Sequence, residues 1–341
     1  MQPPRALPSR TLTTLLRRYC AGEPLSCEPL SEGLLNRGYR VATTRGRYFL
    51  KHHLDGDPEA IGNQHRATVQ LGALGVPTVP PVPDADGGTV ALVDGGCFAL
   101  HPWVEGRHRA GGELTAGQCR RLGALLGTVH VRLEQVIPHS ARPEDEGHPS
   151  ADPEDTRHLI DELLTRIRDR RVPDGFDALA RRRLAERREL LDRHGHRRPP
   201  AGAAPVTGWV HGDFHPLNLL YRAEAPFDPV AIVDWDRLAV QPRAEEAVRA
   251  AAIFFVRPDG TLELDKVRRY ARAYRRAARA DGAELAAAVH RVWWERLNDF
   301  WMLRWRYQRD DRRADPQFPA AAALVVWWTG EYARVEDAFC G

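Results

Sequence analysis

The stretch His211-Gly212-Asp213-Phe214-His215-Pro216-Leu217-Asn218 carries polar groups in the pattern His-x-Asp-x-x-x-x-Asn. Asp213 is a carboxylate that can accept the proton of a hydroxyl group. Asn218 offers an uncharged amide oxygen, a ligand that suits a hard cation such as Mg²⁺. By composition alone the triplet would occur by chance in roughly one such chain in a hundred, so it suggests a catalytic loop without establishing one.

A second acidic segment follows downstream. The run Val230–Val233 has the pattern of a buried strand, and it ends in Asp234-Trp235-Asp236. A carboxylate at a strand end is well placed to bridge Mg²⁺ and the phosphates of a nucleotide. Asp236 can reach a second metal ion or cap the next loop, and the sequence leaves both roles open. The spacing of the two segments is typical of phosphoryl transfer.

Two segments nearer the N-terminus could contact phosphate. Lys51 ends a predicted strand, and Lys266 is the only other lysine in the chain. A compact ammonium group on a rigid strand suits the α- and β-phosphates of a nucleotide. The preceding stretch Glu32–Tyr39 contains Gly33 and Asn36, and its glycines would let backbone N–H groups approach phosphates. An ordinary loop would show the same pattern.

Hydrophobic periodicity predicts an α+β chain whose β-structure lies mainly in the first hundred residues. Strands are predicted at 40–43, 48–51, 89–93 and 97–101, and a hairpin at 219–221 with 231–233. Helices are predicted at 9–19, 58–74, 115–136, 155–171, 176–194 and 292–307. We therefore expect a small β-rich N-terminal lobe (1–100), a connector (101–106) and a larger, mainly helical lobe (107–341).

Composition argues against several classes of partner. The 341 residues carry 49 basic and 46 acidic side chains, and the net charge of +3 is too balanced to indicate nucleic acid or a membrane surface. No apolar run reaches the about 18 residues of a spanning helix, and the N-terminus has no signal-peptide core. The five cysteines lack metal-ligand spacing and are expected to be reduced thiols. We expect a cytoplasmic protein.

Longer stretches around these motifs match one known family. They are Leu30–Val41, Tyr48–Lys51, Leu122–His130, His211–Leu220 and Ile232–Asp236. In order, they resemble the nucleotide loop, lysine strand, first C-lobe helix, catalytic segment and metal segment of the aminoglycoside phosphotransferase/choline kinase superfamily. The resemblance implies a protein-kinase-like bilobal fold that uses ATP or GTP with Mg²⁺. It also implies a small hydroxylated acceptor.

The resemblance gives individual residues their roles. The implied catalytic base is Asp213. The implied metal ligands are Asn218 and Asp234, and the implied phosphate contact is Lys51. His211 and His215 support the catalytic loop. The connector Leu100–Gly106 becomes the hinge beside the nucleotide base, with the Pro102 carbonyl and the Val104 N–H as its two contacts. Proline has no N–H, but only its carbonyl is needed there.

One departure concerns the helix that usually supplies a glutamate to the strand lysine. The register places Gln64 at that position, and a neutral amide can hydrogen-bond Lys51 without forming an ion pair. Glu59 lies more than a turn away and is a poorer candidate. Either Gln64 suffices or catalysis is slow.

The C-terminal third is expected to choose the acceptor. In the predicted helix 292–307, Trp301 and Trp305 could form an aromatic wall, although core packing is the more common use of tryptophan. Asp299 and Glu295 lie one turn apart and could hold a cationic acceptor. Exposed acids paired with Arg296 or Arg306 are the more ordinary alternative.

Three functions remain open at this point. The first is an antibiotic-modifying kinase, which fits the Arg-, Ala- and Gly-rich composition typical of a GC-rich producer organism. The second is a metabolite kinase for choline, homoserine or methylthioribose. The third is a non-catalytic, nucleotide-binding pseudokinase, for which the missing helix glutamate is the sole support.

Overall fold

A computed structural model describes residues 6–30, 36–137, 149–200, 205–222 and 228–341. The chain divides into two compact units. The first comprises residues 1–109, 132–138 and 217–238, and the second comprises 110–131, 139–216 and 239–341. Gly33 lies outside the described residues.

The first unit contains a five-stranded antiparallel sheet. Its strands are β1 (Pro24–Pro29), β2 (Arg37–Thr43), β3 (Gly46–His53), β4 (Ala91–Val93) and β5 (Gly96–Pro102), in the order β1-β2-β3-β5-β4. The predicted β2–β3 hairpin is confirmed, with Thr43 opposite Gly46 at the turn and Gly38 opposite Lys51. Strand β1 has no alternating pattern and was not predicted from the sequence.

Alternation along these strands separates two faces of the sheet. One face packs on helix α1 (Ser9–Arg18) through a cluster of buried apolar side chains that includes Leu15, Val41, Leu50 and Leu100. Lys51 neighbours Leu50 and therefore belongs to the other face. Lys51 is the one buried charged residue of β3. The strand pattern therefore places it on the face that is turned away from α1.

Helix α2 (Pro58–Ala73) begins at a strong signal. The Asp57 carboxylate accepts hydrogen bonds from the backbone N–H groups of Glu59 and Ala60, and Pro58 occupies the first helical position. The first unit also holds the short hairpin β7 (Leu219–Leu220) and β8 (Ala231–Ile232), which confirms the predicted pairing of these segments.

The second unit is mainly helical. Its helices are α3 (Ala116–Val136, counted to Val131), α4 (Pro153–Arg168), α5 (Gly175–His194), α6 (Arg243–Phe254), α7 (Leu264–Ala278), α8 (Gly282–Asn298), α9 (Trp301–Gln308), α10 (Phe318–Gly330) and α11 (Tyr332–Cys340). Strands β6 (Thr207–Val210) and β9 (Ala239–Pro242) pair antiparallel. Trp293, Trp294 and Trp328 are fully buried in its core. The predicted α+β class is confirmed.

The prediction of one helix over 292–307 is wrong. Helix α8 ends at Asn298, and α9 starts at Trp301 after Asp299 and Phe300. The Asp299 carboxylate accepts a hydrogen bond from the Trp301 backbone N–H, which satisfies a donor at the start of α9. Aspartate competes for backbone donors in this way, and the periodicity of the tryptophans hid the break.

Among the described residues, none of the helices is both long enough and apolar enough to cross a bilayer.

Candidate active site

The predicted catalytic loop follows strand β6 in the second unit. His211 is fully buried, and its Nδ1 accepts a hydrogen bond of 3.2 Å from the Asp213 backbone N–H. Asp213 itself is partly exposed, with His215 Nε2 at 3.5 Å from its Oδ1. Gly212 has a φ of 82°, a conformation that glycine adopts without strain. The loop is therefore bent at Gly212, with Asp213 held from both sides by histidines.

A buried carboxylate fixes the backbone of this loop. Glu246, on α6, accepts hydrogen bonds from the backbone N–H groups of His211 (3.2 Å) and Gly212 (2.5 Å). Its Oε2 also lies 2.7 Å from His130 Nε2, and His130 Nδ1 lies 3.1 Å from the hydroxyl of Tyr274. Burial alone would raise the pKa of Glu246, but the His130 hydrogen bond and charge lower it overall.

These contacts connect three helices to the Asp213 loop. They come from α3, α6 and α7, and Gly123 on α3 explains how α7 can approach so closely. A Cβ atom at Gly123 would lie 2.1 Å from the carbonyl oxygen of Tyr270. The sequence gave no sign of the partners of Glu246, because they lie 35 and 116 residues away along the chain.

The predicted metal ligands lie at the β7–β8 hairpin in the first unit. Asn218 directly precedes β7, and its main-chain carbonyl accepts a hydrogen bond of 3.0 Å from the Val233 backbone N–H. Asp234 follows Val233 and has a left-handed φ of 61°, which is uncommon for a residue other than glycine. Nearly half of its side chain is exposed (45%). The hairpin therefore brings the two residues next to each other.

Lys51 contacts both acids of Asp234-Trp235-Asp236. Its Nζ lies 2.6 Å from Asp234 Oδ1 and 2.7 Å from Asp236 Oδ1. Burial alone would lower the pKa of Lys51, but the two carboxylates raise it overall. Burial raises the pKa of Asp236, although Lys51 opposes that shift. Because Lys51 is only 8% exposed, its charge depends on these two partners.

Gln64 and Asn36 both reach Asp236. The Gln64 side-chain amide donates to the Asp236 main-chain oxygen at 3.1 Å, where the sequence suggested a hydrogen bond to Lys51. Asn36 Nδ2 donates to Asp236 Oδ2 at 2.6 Å. The amide oxygen of Asn36 accepts from the Leu54 N–H at 3.2 Å. Asp236 therefore joins the end of the predicted nucleotide loop to the lysine strand and to α2.

The predicted hinge begins at the end of β5. Pro102 is opposite Tyr48, and the Trp103 N–H donates to the Arg47 carbonyl at 3.0 Å. In an antiparallel ladder, a residue next to a hydrogen-bonded position directs its own carbonyl away from the partner strand. The Pro102 carbonyl accordingly points away from β3, at an edge that β4 does not reach, since β4 pairs only with Gly96–Phe98.

Among the candidate acceptor residues, Glu295 is paired with arginines, whereas the other three are at least partly exposed to solvent. Glu295 lies 3.2 Å from Arg249 and 3.6 Å from Arg291, where sequence reasoning expected Arg296 or Arg306. Trp301 and Trp305 are half-buried and meet edge to face, with ring centroids 5.5 Å apart. Asp299 is exposed, and its carboxylate accepts a hydrogen bond from the Trp301 backbone N–H. Their part in acceptor binding stays a prediction.

One family of known proteins matches the part of the chain that contains the motifs. Residues 26–281 match the phosphotransferase enzyme family, APH. Homoserine kinase of Caulobacter vibrioides is 24% identical over 217 residues, which are 63% of this chain and 62% of that protein. The chain thus spans less than two thirds of the length of this curated relative.

Two solved structures share the fold over nearly the whole chain. A spectinomycin phosphotransferase in complex with ADP and spectinomycin superposes with a TM-score of 0.68 at 15% identity, covering 96% of this chain and 100% of that one. An amicoumacin kinase gives 0.58 at 18% identity, covering 95% and 93%. The match to the family model covers well over half of the sequence, and the predicted resemblance is confirmed. The chain belongs to the APH phosphotransferase enzyme family.

Proposed function

We propose that this protein transfers the γ-phosphoryl group of ATP or GTP to a hydroxyl group of a small molecule, with Mg²⁺. The observation that carries the proposal is the meeting of Lys51 and Asp234, which are 183 residues apart in the chain and 2.6 Å apart in space. A lysine and a carboxylate side by side, next to Asn218, are the groups that phosphoryl transfer requires for phosphate and metal.

The residues present fit a magnesium ion. Asp234 and Asn218 offer a carboxylate and an amide oxygen, the hard donors that Mg²⁺ prefers, and Mg²⁺ commonly takes few protein ligands because phosphates and water complete its shell. When bound, the ion would neutralise charge on the phosphates.

Asp213 is the proposed catalytic base. Its partly exposed carboxylate can accept a hydrogen bond from an acceptor hydroxyl and take its proton as the new P–O bond forms. The bond from the γ-phosphorus to the bridging oxygen breaks in the same transfer, and the nucleoside diphosphate leaves. The carboxylate of Glu246 holds the His211 and Gly212 N–H groups, so the loop does not have to reorganise for the reaction. Lys51 would contact the phosphates of the nucleotide, while Pro102 and Val104 would contact its base.

An antibiotic is the proposed acceptor. Two observations support this choice: the fold is shared over nearly the whole chain with kinases for spectinomycin and amicoumacin, and Trp301 and Trp305 form a half-buried aromatic pair. The two rings are nearly perpendicular, at 82°, so each would offer its own face to a ring-bearing substrate.

A metabolite is the second candidate, because sequence similarity favours it. The curated relatives are homoserine kinases, including that of Paramagnetospirillum magneticum, which is 22% identical over 79% of this chain. Homoserine would need a smaller site than an antibiotic, with contacts for an ammonium and a carboxylate group.

The experiment is a panel of acceptors assayed with ATP or GTP and Mg²⁺, with the phosphorylated product identified by mass spectrometry. The panel contains spectinomycin, aminoglycosides, macrolides, homoserine, choline and methylthioribose. Phosphorylation of an antibiotic at least about 100-fold more efficient than that of homoserine supports the first proposal. The reverse ratio replaces it with the second.

A non-catalytic pseudokinase is the remaining alternative. It predicts that the protein binds nucleotide and phosphorylates no compound in the panel. It further predicts that any slow consumption of nucleotide is unchanged by Asp213→Ala.

A further inference from the structure

The charge partner of Lys51 is unusual in its position. A buried ammonium group requires a fixed anion, and helix α2 supplies none: Gln64 is neutral and Glu59 is exposed in the first helical turn. The two carboxylates that contact Lys51 both come from Asp234-Trp235-Asp236. The structure therefore raises the question of which acid holds the lysine once the other binds metal.

The two acids differ in how the protein holds them. The Asp236 carboxylate is occupied on both oxygens, since Oδ1 accepts from Lys51 and Oδ2 accepts from Asn36. Its main-chain oxygen accepts from Gln64, and its side chain is 29% exposed. Asp234 is 45% exposed. Asp236 is thus anchored to three segments of the first unit, while Asp234 is more accessible to solvent and to ions.

We propose that Asp236 is the positioning residue for Lys51, and that it takes the place of a helix carboxylate while Asp234 serves the metal. This inference rests on the proposed function and deepens it by assigning separate work to the two acids. Lys51 has three N–H donors, of which two go to the carboxylates. The third can be donated to a phosphate while Asp236 keeps the ammonium group in place.

The same contact connects the lysine to the predicted nucleotide loop. Asn36 belongs to that stretch and directly precedes β2. It donates to Asp236 Oδ2, while its own oxygen accepts from the Leu54 N–H just after β3. Asp236 therefore holds both the ammonium group and the side chain of Asn36. Removing its charge should affect phosphate contacts without removing a metal ligand.

The first arm of the test observes Lys51 directly and needs no acceptor. Because the chain has only two lysines, ¹⁵N labelling of lysine gives two ammonium signals, which Lys51→Met assigns. With Mg²⁺ and ADP present, Asp236→Asn should speed proton exchange at Lys51 Nζ by about 10-fold or more, whereas Asp234→Asn should change it less. Glu59→Gln, which removes the exposed acid of α2, is the control and should leave the exchange rate unchanged.

The second arm measures turnover of whichever acceptor the wild type phosphorylates. Asp236→Asn should lower kcat by about 10- to 100-fold and leave the Mg²⁺ concentration for half-maximal rate unchanged. Asp234→Asn should raise that concentration. The double variant Lys51→Met with Asp236→Asn should be no slower than Lys51→Met alone, because one interaction is lost only once.

Several results would overturn the assignment. Unchanged proton exchange in Asp236→Asn, a larger effect in Asp234→Asn, multiplied losses in the double variant, or a raised Mg²⁺ requirement in Asp236→Asn would each do so. Asp236→Glu guards against misfolding, since it keeps the charge and should restore slow exchange. A wild type that phosphorylates no acceptor would refute the proposed function alone, because the first arm would still be readable.

Discussion

Asp234 shows how one residue can be held ready for a ligand. Its left-handed backbone, with φ of 61°, costs free energy for a residue that has a side chain. The β7–β8 pairing on one side and the Trp235 indole, which donates to the Ile232 carbonyl at 3.1 Å, hold the turn in place. The turn leaves the carboxylate partly exposed beside Lys51, where a cation can reach it.

At the predicted hinge, two residues that lie two positions apart allow a matched experiment. Val104→Pro removes the backbone N–H that we predict contacts the nucleotide base, so the Kd for ATP should rise by about 10-fold. Pro102→Ala keeps the carbonyl and should bind ATP like the wild type. Titration calorimetry measures both constants, with thermal unfolding as a check on the fold. Equal affinities in Val104→Pro and wild type would place the base contact elsewhere.

Gln64 marks the limit of prediction at the scale of a residue. Its position on α2 could be counted from the sequence, and the absence of a glutamate at that position was evident there. Its hydrogen bond to the Asp236 main chain was not, since it depends on a turn 172 residues away. Spacing predicts which residues carry chemistry, but side-chain partners from distant segments require the fold.

Among the elements, α6 contacts the predicted catalytic loop directly, through Glu246. Glu246→Gln would place amide hydrogens against the loop N–H groups or His130, so Asp213 should lose its position. We expect kcat to fall by about 10- to 100-fold while the KM for nucleotide stays within about 3-fold. Steady-state kinetics measure both values.

The adjacent Glu245→Gln is the control for this experiment. Glu245 is also buried and pairs with Arg249 at 3.5 Å, so this variant tests the loss of a buried charge on the same helix. It should reduce thermal stability without the fall in kcat. Equal loss of kcat in the two variants would mean that Glu246 acts only through stability.

The elements themselves were largely predictable where one pattern dominated. The β2–β3 hairpin, α2 and the long helix α3 follow alternation, an aspartate cap with proline, and helical periodicity. Strand β1 and the break at Asp299 were missed. In the first case pairing with β2 overrode weak propensity. In the second case a hydrogen bond from the backbone to the Asp299 side chain competed with a regular tryptophan pattern.

For the molecule as a whole, histidines with lowered pKa values predict sensitivity to acid. Burial lowers the pKa of His53 to about 4, of His65 to about 3 and of His101 to about 4. In the unfolded chain these groups take up protons near pH 6.5, whereas the folded protein resists protonation until about pH 4. The unfolded state therefore binds more protons in this window, and stability falls as the pH drops through it.

Urea unfolding between pH 7 and 4.5 measures this effect. We expect the free energy of unfolding to fall by on the order of 2 kcal/mol or more, with a smaller fall in His65→Gln. The exposed His158→Gln is the control and should follow the wild type. A flat profile for the wild type above pH 5 would contradict the account of the histidines.

The central claim is that the whole chain acts as a kinase with Asp213 as its base, and one measurement tests it most directly. Nucleotide consumption with Mg²⁺ and the best acceptor of the panel is compared between wild type and Asp213→Asn, with the Kd for ATP measured on both. The account predicts a loss of at least about 1,000-fold in kcat with the Kd unchanged within about 3-fold. Turnover that survives Asp213→Asn at the wild-type rate would contradict it.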